Sequence, residues 1–108
     1  MSDVGLTSRE LSLVHSVLMR HPEVVEARVF GSRARGDSSA TSDFDIALWG
    51  DVSLVQWARI AGELDQLPLP YQFDVVIFDN IRHDGLRRDI AAHSVVFYRK
   101  PVSGAGTG

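Results

Sequence analysis

The sequence predicts a single mixed domain of the α/β (α+β) kind, and three observations carry that prediction. Four short runs rich in β-branched and aromatic residues read as strands: Val24 to Phe30, Asp43 to Trp49, Phe73 to Phe78 and Val95 to Arg99. Segments with apolar residues at helical spacing alternate with them. The chain of 108 residues, 44% hydrophobic and 23% charged, is long enough for one core and too short for two. The expected division is a domain over residues 1–100 and a flexible, glycine-rich tail over 101–108.

Thr7-Ser8-Arg9-Glu10 has the form of a capping box, in which a threonine hydroxyl and a glutamate three residues on satisfy each other's backbone donors. Leu11, Val14 and Leu18 then recur at helical spacing until His21-Pro22, where proline stops the helix. Val24 to Phe30 is the first strand and delivers Gly31-Ser32 at its end. Arg35 to Thr41 is short and polar, a helical turn or a loop, and Asp43 to Trp49 is the second strand. Asp51-Val52-Ser53 offers an N-cap for a second helix with Leu54, Trp57, Ala58, Ala61 and Leu64 as its apolar stripe, ending near Leu67-Pro68. A third strand over Phe73 to Phe78 leads to a turn at Asp79-Asn80. Ile81 to His93 reads as a helix whose start Gly85 leaves open, and Val95 to Arg99 is the last strand.

The chemistry is concentrated in Phe30 to Leu48. Residues 43–48 alternate, so Asp43 and Asp45 share one strand face with Cα atoms roughly 6.5 Å apart. Two carboxylates this close repel unless a cation lies between them. An oxygen-only donor set suits Mg²⁺ or Mn²⁺ rather than Zn²⁺. Asp74 is an isolated acid in an apolar strand, a costly placement unless it is paired or metal-bound. Gly31-Ser32 lies where a strand ends and the chain turns, and a glycine there lets backbone N–H groups approach a phosphate closely. Arg33 and Arg35 add forked donors that match phosphate oxygens. Gly31 and Gly36 have the spacing of a P-loop, but Asp37 stands where that motif needs lysine. The arrangement suits a triphosphate held at one strand end with two cations on the acids, a site for in-line displacement at phosphorus.

Gly31-Ser32, ten residues, Asp43-x-Asp45 and a later strand acid resemble the signature of the DNA polymerase β-like nucleotidyltransferases. The fuller string Gly-Ser-Arg-Ala-Arg-Gly followed by Ser-Asp-x-Asp-Ile is similar to the minimal nucleotidyltransferase branch that includes the MntA antitoxins. The resemblance implies a mixed, partly antiparallel sheet with helices packed on one face. It also implies that Asp43, Asp45 and Asp74 are catalytic and bind the metal ions, Asp74 helping to activate the attacking hydroxyl. Gly31 and Ser32 would then bind the nucleotide, with Arg33 and Arg35 beside them. The implied cofactor is Mg²⁺, as two ions, or Mn²⁺, and the implied substrate is ATP.

The remaining properties narrow the acceptor. Fourteen acids against eleven bases, a formal net charge of −3, argue against a polynucleotide acceptor. No cysteine is present, so no thiolate nucleophile or cysteine zinc site exists. No apolar run reaches the length of a membrane span and no signal-peptide pattern opens the chain, so a cytoplasmic protein is expected. With no room for an acceptor domain, the acceptor comes from outside. The MntA resemblance implies a tyrosine on a HEPN-domain ribonuclease toxin, with this chain as its antitoxin. Two alternatives stand beside it: a non-catalytic module that occludes its partner, and a small-molecule nucleotidyltransferase of the aminoglycoside-modifying type.

Overall fold

In the structure of the chain, a computed structural model that describes residues 6–31 and 43–101, Thr7 opens the first helix as the sequence predicts. Its hydroxyl accepts from the Glu10 N–H at 3.1 Å, and Glu10 Oε1 accepts from the Thr7 N–H at 3.0 Å. This helix, α1 (Ser8–Met19), buries Val14, Val17 and Leu18. Strands β1 (Val24–Phe30) and β2 (Asp43–Gly50) follow, then α2 (Leu54–Asp65), whose cap Ser53 makes the same reciprocal pair with Gln56. Next come β3 (Gln72–Ile77), a single 3₁₀ turn at Phe78–Asn80, α3 (Asp84–Ala92) and β4 (Val95–Arg99). α3 starts where His83 Nδ1 accepts from the Leu86 N–H, which resolves the start that Gly85 left open. Residues 102–108, expected to be a tail, lie outside the described residues.

The four strands form one mixed sheet in the order β3-β2-β1-β4. β1 runs antiparallel to β2 and β4, whereas β2 and β3 are parallel and are joined by α2 as the crossover a parallel pair requires. The two long helices cover one face, as expected. Val14, Val17 and Leu18 of α1 and Ile60 and Leu64 of α2 meet Val24, Ala27 and Val29 of β1 and Phe44, Ile46 and Leu48 of β2. The short α3 goes to the other face, where Ile90 joins Phe30 and Ala47 and is flanked by Trp49, Val76, Phe78 and Leu86.

The apolar stripe of α2 differs from its expected position. Ile60 and Leu64 are its buried residues, while Leu54 is 70% exposed and Trp57 36% exposed. The helix carries two overlapping apolar arcs, and the one with Ile60 enters the core. The other lies over the outer edge of β3, where Trp57 Nε1–H donates to the Val75 carbonyl at 2.7 Å. This covers an edge acceptor that would otherwise invite strand addition. Trp57, expected in the core, is therefore an edge cover.

Three of the four histidines serve as structural partners. His15 Nε2 lies 2.5 Å from the Phe97 carbonyl and His83 caps α3. His21 is buried between Glu23, 3.3 Å from Nδ1, and Glu63, 2.9 Å from Nε2. No helix among the described residues is long and apolar enough to cross a membrane.

Candidate active site

The alternation of β2 decides which side chains can meet. Phe44, Ile46 and Leu48 turn to the helices, so Asp43, Asp45, Ala47 and Trp49 turn to the opposite face. Parallel pairing with β3 then sets Asp45 opposite Asp74 and Asp43 opposite Gln72. On the other side of β2, the antiparallel register sets Phe30 opposite Asp45, so the residue that ends β1 and the third acid flank the same carboxylate. Three separate strands converge on Asp45.

Gly31 makes the tightest of these approaches. Its φ is +76°, and a Cβ at that position would stand 2.5 Å from Asp45 Oδ2. Only a glycine accepts both the left-handed backbone and the close carboxylate. The sequence reading assigned Gly31 to a phosphate; the structure adds that its backbone lies directly against the central acid.

Burial pushes the Asp45 carboxyl above its ordinary value, and the charges of Asp74 and then Asp43 push it the same way. Asp43 and Asp74 themselves are exposed. For Asp74 this removes the burial cost that singled it out in the sequence, because β3 is an edge strand and the acid faces out of the sheet. What remains is its position beside Asp45.

As the side chains stand, no three His, Asp or Glu groups among the described residues are drawn together closely enough to hold a metal ion. The donor set nevertheless fits a hard divalent cation. It consists of carboxylate oxygens on two adjacent strands around Asp45, whose carboxyl is pushed up first by burial and then by the charges of Asp74 and Asp43. Ser32, Arg33 and Arg35, predicted to bind the nucleotide, lie outside the described residues.

Trp49 shares the face of the acids but not their company. Its ring stacks on Phe78 with centroids 4.6 Å apart, and the Arg28 guanidinium lies over the same ring, 4.6 Å from its centroid. Arg87 closes the row, 4.5 Å over Phe78, while donating to the Phe78 and Ile81 carbonyls at 2.9 and 3.1 Å. The row fixes the 3₁₀ turn against β2 and so holds the C-terminal end of β3 in place. Sequence reading missed Arg28 and Arg87; the signal for Arg28 was its parity with Phe30 on β1.

Comparison with known proteins agrees with this fold. A family model described as Polymerase beta, Nucleotidyltransferase matches residues 13–102. No curated protein matches the sequence. Among solved structures, a chain of a toxin–antitoxin complex with AMP-PNP superimposes with a TM-score of 0.68 at 19% identity, over 83% of this chain and 73% of that one. A chain of the MntA–HepT toxin–antitoxin complex gives 0.64 at 16% identity, over 87% and 74%. A Sulfolobus solfataricus protein assigned as a nucleotidyltransferase gives 0.52 at 23% identity, over 82% and 76%. At these identities the likeness to the solved structures is one of fold.

Proposed function

The chain belongs to the polymerase β nucleotidyltransferase family, and from that premise we propose that it transfers AMP from ATP to a hydroxyl of a partner protein, acting as the antitoxin of a HEPN-type toxin. The observation that carries the reading is the convergence on Asp45, with Asp74 paired beside it, Asp43 two residues away on the same face and Gly31 against its carboxylate. The fold it shares with chains of two toxin–antitoxin complexes, one of them with AMP-PNP, supports the partner and the nucleotide.

In this reading Asp43, Asp45 and Asp74 would hold two Mg²⁺ ions, which when bound supply charge stabilisation for the phosphorane-like transition state. The acceptor oxygen bonds to the α-phosphorus, the bond from that phosphorus to the bridging oxygen breaks, and pyrophosphate leaves. Asp74, exposed at the sheet edge, receives the hydroxyl proton. Gly31 and the N–H groups after it hold the phosphates, with Ser32, Arg33 and Arg35 as further donors. The tyrosine target rests on the MntA resemblance alone.

The test is intact-mass spectrometry of the protein encoded beside this one after incubation with the chain, ATP and Mg²⁺. The expected result is a gain of one or more AMP units that disappears with the Asp43→Asn/Asp45→Asn double variant. An inhibited partner with unchanged mass would replace transfer by occlusion.

A further inference from the structure

We propose that Gln72 binds the acceptor, its side-chain amide pairing with a peptide group beside the attacking hydroxyl at the outer edge of the sheet. The proposal deepens the nucleotidyltransferase reading and rests on it, because that reading puts the phosphates at Gly31. In-line displacement then fixes the side of entry, since attacking and leaving oxygens stand on opposite sides of the phosphorus. Across the sheet, Gly31 follows β1, Asp45 stands on β2 and Asp74 on β3, each strand about 4.8 Å from the next. With pyrophosphate leaving on the β1 side, the acceptor enters over β3, the edge strand.

Two exposed polar side chains of β3 turn to the acid face there, Asp74 and Gln72, while Phe73 and Val75 turn to the helices. Gln72 is paired with Asp43 in the parallel register as Asp74 is with Asp45. Asp74 takes the hydroxyl proton, which leaves Gln72 for the rest of the acceptor. The side chain is exposed, but its backbone is fixed from both sides. Before it, the Tyr71 hydroxyl donates to Glu10 of α1, 3.2 and 3.3 Å from the two carboxylate oxygens, and the Tyr71 ring meets Phe44 edge-on. After it, Phe73 is buried and stacked on the same Phe44 ring. An exposed side chain on an anchored strand loses little freedom when it meets a large substrate.

The chemistry of the side chain chooses the acceptor. An acid at this position would suit a polycationic small molecule, and a base would suit a polynucleotide. A primary amide presents one carbonyl and one N–H side by side, the donor and acceptor pair that a peptide group matches. It does so without adding a fourth charge to the acids around Asp45.

The experiment compares the chain with Gln72→Met, which keeps the length of the side chain and removes the amide, and with Gln72→Asn, which keeps the amide on a shorter stem. The position is exposed, so both variants retain the fold, which urea unfolding checks. Steady-state AMP transfer to the protein encoded beside this one gives the acceptor KM and kcat. Pyrophosphate release without that protein reads transfer to water, and calorimetry with AMP-PNP and Mg²⁺ reads the nucleotide site. Expected for Gln72→Met is an acceptor KM raised about tenfold with kcat within about twofold of the parent. Pyrophosphate release and AMP-PNP binding should be unchanged, and Gln72→Asn should fall between parent and Gln72→Met. An unchanged acceptor KM would overturn the proposal. Equal losses in transfer to water would also overturn it, by assigning Gln72 to the metal or nucleotide site. A parent that binds AMP-PNP but transfers no AMP to that protein would instead remove the protein-acceptor reading on which the proposal rests.

Discussion

The two faces of the sheet are built from the same strands to opposite ends. Along β2, Phe44, Ile46 and Leu48 are fully buried under α1 and α2, while Asp43, Asp45, Ala47 and Trp49 alternate with them on the far side. There α3 and the Trp49–Phe78 row cover one end, and the acids lie towards the other. The difference teaches where the molecule tolerates frustration. The helix-covered face contributes most of the burial, so half of the other face can hold a cluster of acids in which burial, and then the charges of Asp74 and Asp43, raise the Asp45 pKa.

Substitutions sharpen the contrast. Phe44 stacks on Phe73 at 5.8 Å and meets Tyr71 edge-on at 5.0 Å, so Phe44→Ala should cost about 3–5 kcal/mol in urea unfolding. One residue away in parity, Gly31→Ala should cost only about 1–2 kcal/mol through its backbone. It should still abolish most transfer, because the new methyl group displaces the Asp45 carboxylate; retained activity would break the assignment of that contact. Arg87→Ala removes the end of the stacked row and should cost about 1 kcal/mol in the same assay, with transfer less affected than by Gly31→Ala.

The smallest effect has the opposite sign. The folded chain holds the Asp45 proton more tightly than the unfolded chain, whose ordinary value is 3.8. That contribution to stability is complete below 3.8 and is lost as pH rises through the higher folded value. At neutral pH, Asp45→Asn should therefore be as stable as the parent or more so, by no more than about 1 kcal/mol after solvent screening. The two unfolding curves should converge towards acid pH. Added Mg²⁺ should stabilise the parent and not the variant. A parent that is more stable than the variant without metal would contradict the repulsion.

The same contrast sets how much the sequence discloses. Strand alternation, the capping box at Thr7–Glu10 and the N-cap at Asp51-Val52-Ser53 are local patterns, and each appears in the structure within a residue or two of its expected bounds. What a local pattern does not encode is which element packs where. α2 presents two apolar arcs, and only the packing against α1 and β3 selects Ile60 over Leu54 and Ala58 for the core. The exposure of Asp74 follows from β3 being an edge strand, and strand order is a global property. The placement of α3 on the second face has the same origin. Arg28 takes its role from Trp49 on the neighbouring strand and Arg87 from Phe78 and Ile81 across a loop, pairings that no periodicity within one element encodes.

The parallel partnership of β2 and β3 has a temporal consequence. Asp45 and Asp74 become neighbours only after the intervening α2 has folded back as a crossover, a closure over a long stretch of chain. On a ribosome the antiparallel β1–β2 hairpin is available first, and it carries two acids without the third. A truncated or arrested product thus has two of the three acids but not the Asp45–Asp74 pair. The Asp45–Asp74 pair therefore forms only once the polypeptide beyond Asp74 has emerged and docked.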